Sequence, residues 1–339
     1  MDPEVLRTIP ASNTYLRTRI PLAFAPKNLD DFGTYAAEVV KHYRSARPHG
    51  VTHYQILNEP VYTNYSLPRQ YGYGLADYVK LLGVASRHMK AADPECQIVG
   101  GISAGLKSTY TSDFIKAGGL RLLDVSDLHV YDPDRPVESY NQPFEDLQRL
   151  QAKKGGDKPV WITEFGCYAD DDPPSVPSTF GDDTMNRCLW PSERAATEHI
   201  IKFAVVSMAR GVRKIFFHAG TCGTINGPDA GGILFEYGGT PRRAFAGVHV
   251  FNALVGVPKT CLGSRQDRDG LQVYLFHTSR GPVGIAWNTA ETPRQLAVGD
   301  GVRAFDVMGN ALRGTSVEVT ESPVYLVARD AKALAALLR

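Results

Sequence analysis

The sequence predicts an α/β fold made of parallel βαβ units and followed by a small antiparallel β domain. Two observations carry this reading. Apolar strand-like runs alternate with amphipathic helical periods as far as residue 254, the pattern of parallel strands joined by helical crossovers. From Gly263 the pattern changes to short strands separated by Arg-Gly-Pro, Asp-Gly and Met-Gly-Asn turns. A chain of 339 residues has room for about two domains, which the change of pattern sets at residues 1–260 and 261–339.

Taken in order, residues 31–46 form a helix with Phe32, Tyr35, Ala36, Val39, Val40 and Tyr43 on one face. Strand 53–58 follows. A helix over 75–91 carries the stripe Leu75, Tyr78, Val79, Leu82 and Ala85. Then come strand 97–103, a helix near 110–118, strand 126–131, a helix near 142–153 and strand 159–164. An acidic, proline-rich loop runs from Asp170 to Asp183. Helix 192–210, strand 213–218 and helix 241–254 complete the α/β part. The β domain has strands at 271–277, 282–287, 294–298, 302–306, 316–319 and 323–328, and an Ala/Leu-rich helix at 330–338 ends the chain.

Composition narrows the function. Lys+Arg is 37 and Asp+Glu is 36, a net charge of +1. That balance gives no electrostatic reason to expect nucleic acid or an anionic membrane surface as a partner. No run of 18 apolar residues and no signal-peptide pattern is present. Cys96, Cys167, Cys188, Cys222 and Cys261 are odd in number and lack CxxC spacing, which argues against a zinc knuckle or a redox pair. One bridge among Cys167, Cys188 and Cys222 stays open. Without a Walker loop, a GxGxxG or an HExxH, neither a cofactor nor a metal is expected.

Two glutamates stand at strand ends. Strand 53–58 ends in Asn58-Glu59-Pro60, and strand 159–164 ends in Thr163-Glu164-Phe165-Gly166. In a barrel of parallel strands the C-terminal ends carry the chemistry. Glycosidic bond cleavage needs a pair of carboxyl groups, one to protonate the leaving oxygen and one to attack or to activate water. Pro60 stops its strand, and Gly166 permits a sharp exit. The glutamates are 105 residues apart, about three βα units at roughly 31 residues each.

With those motifs in place, the sequence resembles clan A glycoside hydrolases, the retaining (β/α)8 group, and within it families 39 and 5. The resemblance implies a TIM-type barrel, with Glu59 after strand four as acid/base and Glu164 after strand seven as nucleophile. It implies that Asn58 binds the sugar 2-hydroxyl and that His129-Val130-Tyr131 places Tyr131 beside the nucleophile. The β domain resembles the one that accompanies family 39 barrels. A saccharide or small glycoside would be the substrate.

Strand alternation sorts the neighbours. Ile162 and Glu164 share one face, which sends Trp161 and Thr163 to the helix layer, Trp161 as core. Asp127, His129 and Tyr131 share the interior face. Phe216 and His218 share a face, with His218 a candidate site residue. Tyr62, Tyr65, Tyr71, Tyr73, Tyr168 and Trp190 are candidates for stacking on sugar, Trp190 foremost.

Two other readings compete. Gly101-Ile102-Ser103-Ala104-Gly105 follows a strand and matches the GxSxG nucleophile elbow, which makes a serine acyl hydrolase using Ser103 the rival. A non-catalytic carbohydrate-binding barrel is the third. Finally, if strand 53–58 is the fourth, about 90 residues should precede it, yet only 52 precede His53. This count predicts an N-terminally truncated barrel of strands four to eight, weakly soluble and weakly active. Arg19–Ala25 would be a remnant of strand three and Pro10–Thr18 an active-site loop.

Overall fold

The computed structural model describes residues 25–45, 50–63, 65–131, 136–169, 171, 189–218, 232–236 and 238–338. Residues 19–24 of the candidate strand-three remnant Arg19–Ala25, the loop 10–18, most of the acidic loop, Cys188 and Cys222 lie outside them. Five strands form one parallel sheet in chain order: β1 (His53–Gln55), β2 (Gln97–Gly100), β3 (Val125–Val130), β4 (Val160–Phe165) and β5 (Val212–Phe217). Helices α1 (Leu29–Arg44), α2 (Leu75–Ala92), α3 (Thr109–Lys116), α4 (Asn141–Lys154), α5 (Glu193–Ala209) and α6 (Arg243–Leu254) alternate with them. Among the described residues no helix is long and apolar enough to cross a membrane.

Contacts divide the chain into two compact units, residues 1–130 with 145–163 and residues 131–144 with 164–339. In the first unit β1 pairs in parallel with β2 at His53↔Gln97, and β2 with β3 at Val99↔Val125. Local chemistry sets the helix ends. The Asn28 side chain accepts from the Asp30 amide, and Asp30 and Asp31 sit in the first turn of α1 with Lys41, His42 and Arg44 in its last. That arrangement opposes charge to the helix dipole at both ends. Ser108 caps α3 in the same way. The Tyr78 hydroxyl of α2 donates to the Ile56 carbonyl at 3.0 Å, which satisfies a buried phenol and fixes the chain just past β1.

In the second unit the His218 amide donates to the Phe165 carbonyl at the end of β4. Helix α5 is buried around most of its circumference, including Glu193, His199 and Lys202. An antiparallel sheet follows, with strands β6 (Pro258–Gln266), β7 (Leu271–Thr278), β8 (Gly281–Asn288), β9 (Arg294–Ala297), β10 (Val302–Phe305), β11 (Ala311–Leu312), β12 (Ser316–Val319) and β13 (Val324–Ala328). Six of them run in the order β11-β10-β13-β8-β7-β6, and β9 pairs with β12. Leu271, Val273, Leu275, Ala286, Val319 and Leu326 form its core, closed by Leu334 of α7 (Ala331–Ala335) and by Leu337. Each of these leucine and valine side chains contributes about 1.5–3 kcal/mol when fully buried.

The structure corrects several expectations. Strand 53–58 stops at Gln55, because Leu57, Glu59 and Val61 take φ of 65°, 45° and 74° and cannot continue a strand. Strand 97–103 stops at Gly100, ahead of Ser103 at φ 51°. β6 and β11 are additional. β6 is largely exposed and its register shifts twice, so it carries no apolar alternation to read. The face assignment on β4 also changes. Trp161 stacks on His53 with ring centroids 4.8 Å apart and clusters with Val99 and Val125, and Thr163 Oγ1 donates to Asp127 Oδ2 at 3.4 Å. Trp161 and Thr163 thus lie on the face of Asp127, not opposite it. Trp161 is a core residue all the same.

Candidate active site

In the first unit, Glu59 sits in the turn after β1 at a positive φ that non-glycine residues rarely adopt. A residue held there costs on the order of 1–3 kcal/mol and persists where its surroundings fix it. A hydrogen bond of 2.8 Å joins Glu59 Oε1 to His129 Nδ1. The His129 side chain is only 3% exposed and that of Glu59 17%, so the pair is shielded while one carboxylate edge stays reachable. Asn58 is exposed.

The same unit contains Ser103. Its hydroxyl donates to Asp127 Oδ2 at 2.6 Å, and Gln55 Nε2 donates to the same oxygen at 3.0 Å. Burial pushes the Asp127 carboxyl above the ordinary carboxylate range, and the Ser103 hydroxyl and the His129 charge pull it partly back. The left-handed φ of Ser103 matches one feature of a nucleophile elbow. The rest does not follow. A carboxylate accepts the Ser103 hydrogen bond, and the chain runs through Ala104–Lys107 before α3 begins at Thr109. An elbow serine opens directly into its helix and hands its proton to a histidine.

In the second unit, the Tyr131 hydroxyl donates to Glu164 Oε2 at 2.6 Å. Both residues are partly exposed. Gly166 matters here for space. A Cβ at 166 would collide with the Tyr131 ring, so the absent side chain lets the ring reach the carboxylate. His218 packs edge-on against Tyr131 with centroids 5.7 Å apart, and a 2.7 Å hydrogen bond joins its Nδ1 to the buried Tyr168 hydroxyl. Tyr168 is therefore a support and not an open stacking surface. Trp190 lies against His199 with centroids 4.2 Å apart. Sequence reasoning missed Gln55 and the spatial role of Gly166. The parity of Gln55 with His53 along β1 was the available signal for the first.

His199 supplies a pH test. Burial, with Lys202 nearby, lowers its pKa from 6.5 to about 3. Above about pH 6.5 the imidazole is neutral folded or unfolded. Between about 6.5 and 3 the unfolded chain binds a proton that the folded one does not. Stability therefore falls as pH falls, by about 1.4 kcal/mol per pH unit. Denaturant titrations at about pH 7 and 4.5 should differ by about 3 kcal/mol from this residue alone. His199→Leu should remove that portion of the difference, and an unchanged pH slope in the variant would refute the assignment.

Residues 12–209 match the family model described as glycosyl hydrolase catalytic core. A search of curated proteins found no match. Among solved structures, the chain is similar to a family 39 glycoside hydrolase from Bacteroides cellulosilyticus WH2, at 15% identity over 90% of this chain and 63% of that one, TM-score 0.62. It is similar to a GH30 endoxylanase from Clostridium papyrosolvens C71, at 15% identity over 90% and 72%, TM-score 0.58. A monomeric beta-xylosidase from Caulobacter crescentus CB15 gives 14% identity over 90% and 75%, TM-score 0.59. The chain spans less than two thirds of the first of these. At such identities the likeness is one of fold.

Proposed function

Because the chain belongs to the glycosyl hydrolase catalytic core family, we propose that it hydrolyses β-linked glycosides by double displacement, with Glu164 as nucleophile and Glu59 as acid/base. One observation supports this most directly. Two residues spaced by two at the exit of β3 each engage one of the glutamates: His129 bonds Glu59, and Tyr131 bonds Glu164.

The steps balance without a metal or cofactor. A Glu164 oxygen attacks the anomeric carbon while Glu59 gives its proton to the glycosidic oxygen. The bond to the leaving alcohol breaks, leaving a glycosyl ester on Glu164. Glu59, now a carboxylate, takes a proton from water. The water oxygen attacks the anomeric carbon and frees Glu164. Tyr131 keeps the attacking carboxylate oriented throughout. Asn58, exposed next to Glu59, would bind the sugar 2-hydroxyl in this reading. His218 and Trp190 complete the proposed binding set, His218 by bracing Tyr131.

Aryl β-D-xylosides are the first substrates to try, because two of the solved relatives are named a beta-xylosidase and an endoxylanase. Aryl β-D-glucosides are the comparison. Proton NMR of the fresh product should show the β-anomer first, since two inversions retain configuration. EDTA should leave the rate unchanged. An α-anomer formed first would exclude double displacement. Absence of hydrolysis across a broad glycoside panel would exclude the function.

A further inference from the structure

We propose that Tyr62, Ser103 and Asp127 form a tether that fixes the turn carrying Glu59, so that Ser103 and Tyr62 are positioning residues for the acid/base. The proposal rests on the role of Glu59 given above and assigns a purpose to the GxSxG segment that the chemistry leaves unused. The turn after β1 needs an anchor. Leu57, Glu59 and Val61 all occupy the left-handed region at alternate positions, a conformation the sequence does not favour by itself. Some restraint is local: Thr63 Oγ1 donates to the Glu59 carbonyl, and the Val61 amide to the Ser66 carbonyl.

The long-range restraint is Tyr62. Its hydroxyl donates to the Ser103 carbonyl at 2.7 Å, across 41 residues of sequence, and its ring stacks on Tyr110 with centroids 5.2 Å apart. Ser103 is itself held. It is buried at φ 51°, and its hydroxyl donates to Asp127 Oδ2, which also accepts from Gln55 and Thr163. One carboxylate oxygen thus gathers side chains from β1, the β2 exit and β4. The other, Oδ1, is buried without a hydrogen-bond partner among the described residues, packed where a Cβ on Gly101 would strike it. Asp127 precedes His129 by two residues on β3. Glu59 is therefore held twice from one strand, its side chain by His129 and its backbone by the chain Tyr62–Ser103–Asp127.

A misplaced acid harms substrates in proportion to their need for a proton. Methyl β-D-xyloside has a leaving group that must be protonated, whereas 2,4-dinitrophenyl β-D-xyloside has one that departs unprotonated; the glucosides serve equally if the native enzyme prefers them. Tyr62→Phe keeps the ring and removes the hydroxyl. It should lower kcat/KM on the methyl glycoside about 10-fold or more and on the dinitrophenyl glycoside about 2-fold or less, a fraction of the roughly 10²–10⁴ that a general acid supplies. Ser103→Ala should show the same split. Equal losses on both substrates, or none, would overturn the tether. Glu59→Gln separates the two ideas. If that variant shows no leaving-group dependence, the acid/base assignment fails; if it does and Tyr62→Phe does not, only the tether fails. A readout independent of turnover is amide exchange at residues 59–66, which should speed up roughly fivefold in Tyr62→Phe. Unchanged exchange would also overturn the proposal.

Discussion

Glu164→Ala should abolish hydrolysis, by on the order of 10⁴–10⁶ in kcat, the scale seen when a covalent nucleophile is removed. Tyr131 would be left with its hydroxyl facing the vacated carboxylate position. The space is the size of a small anion, and azide should restore part of the turnover. The product identifies the residue. Azide attacking in place of Glu164 makes one displacement, so the glycosyl azide must have inverted, α configuration. In Glu59→Ala, azide instead intercepts the glycosyl ester, and its product must be the β-azide. Two variants giving two opposite azides would fix both roles in one experiment. An undiminished rate in Glu164→Ala, or β-azide from it, would end the assignment.

The second large effect concerns stability. Glu193 opens α5 and is buried against Arg242, with Oε1 at 2.6 Å from Nη1; the two side chains are 9% and 1% exposed. Glu193 Oε2 also accepts from the Arg243 amide at the start of α6. Removing one partner of such a pair strands the other charge without solvent. Glu193→Ala should therefore cost about 3–5 kcal/mol, lowering the melting temperature by roughly 10 °C in a chain of this size. Replacing both residues with apolar ones of similar volume should recover much of the loss. Thermal unfolding of the single and double variants decides it. A single variant within about 1 kcal/mol of the native protein would show that the pair contributes little.

The helices and central strands were legible because burial imposes a period, and a period survives in the sequence. Strand 126–131 and helix 192–210 fall within one or two residues of β3 and α5. The motifs around Glu59 and Glu164 were placed near strand exits from short patterns alone, and Glu59 does follow β1 while Glu164 lies at the end of β4. What could not be read was geometry set by distant contacts. The run of left-handed residues at 57–61 has no glycine to announce it and depends on Tyr62 reaching Ser103. Trp161 was assigned to the wrong face because alternation on one strand does not say which face meets Asp127 on the next. Ser103 satisfied a motif by spacing, but its partner, a carboxylate, is known only from the folded chain.

Gly166 carries a consequence for anyone altering this protein. Directed changes near Glu164 will meet a narrow tolerance, since the Tyr131 ring already fills the volume a methyl group would need. Even alanine at 166 should displace the phenol and loosen the Glu164 carboxylate that it holds, a defect visible, if Glu164 is the nucleophile proposed, as lost activity in a chain that still unfolds at its normal temperature. A side chain at 166 would therefore call for a smaller residue at 131 in the same variant.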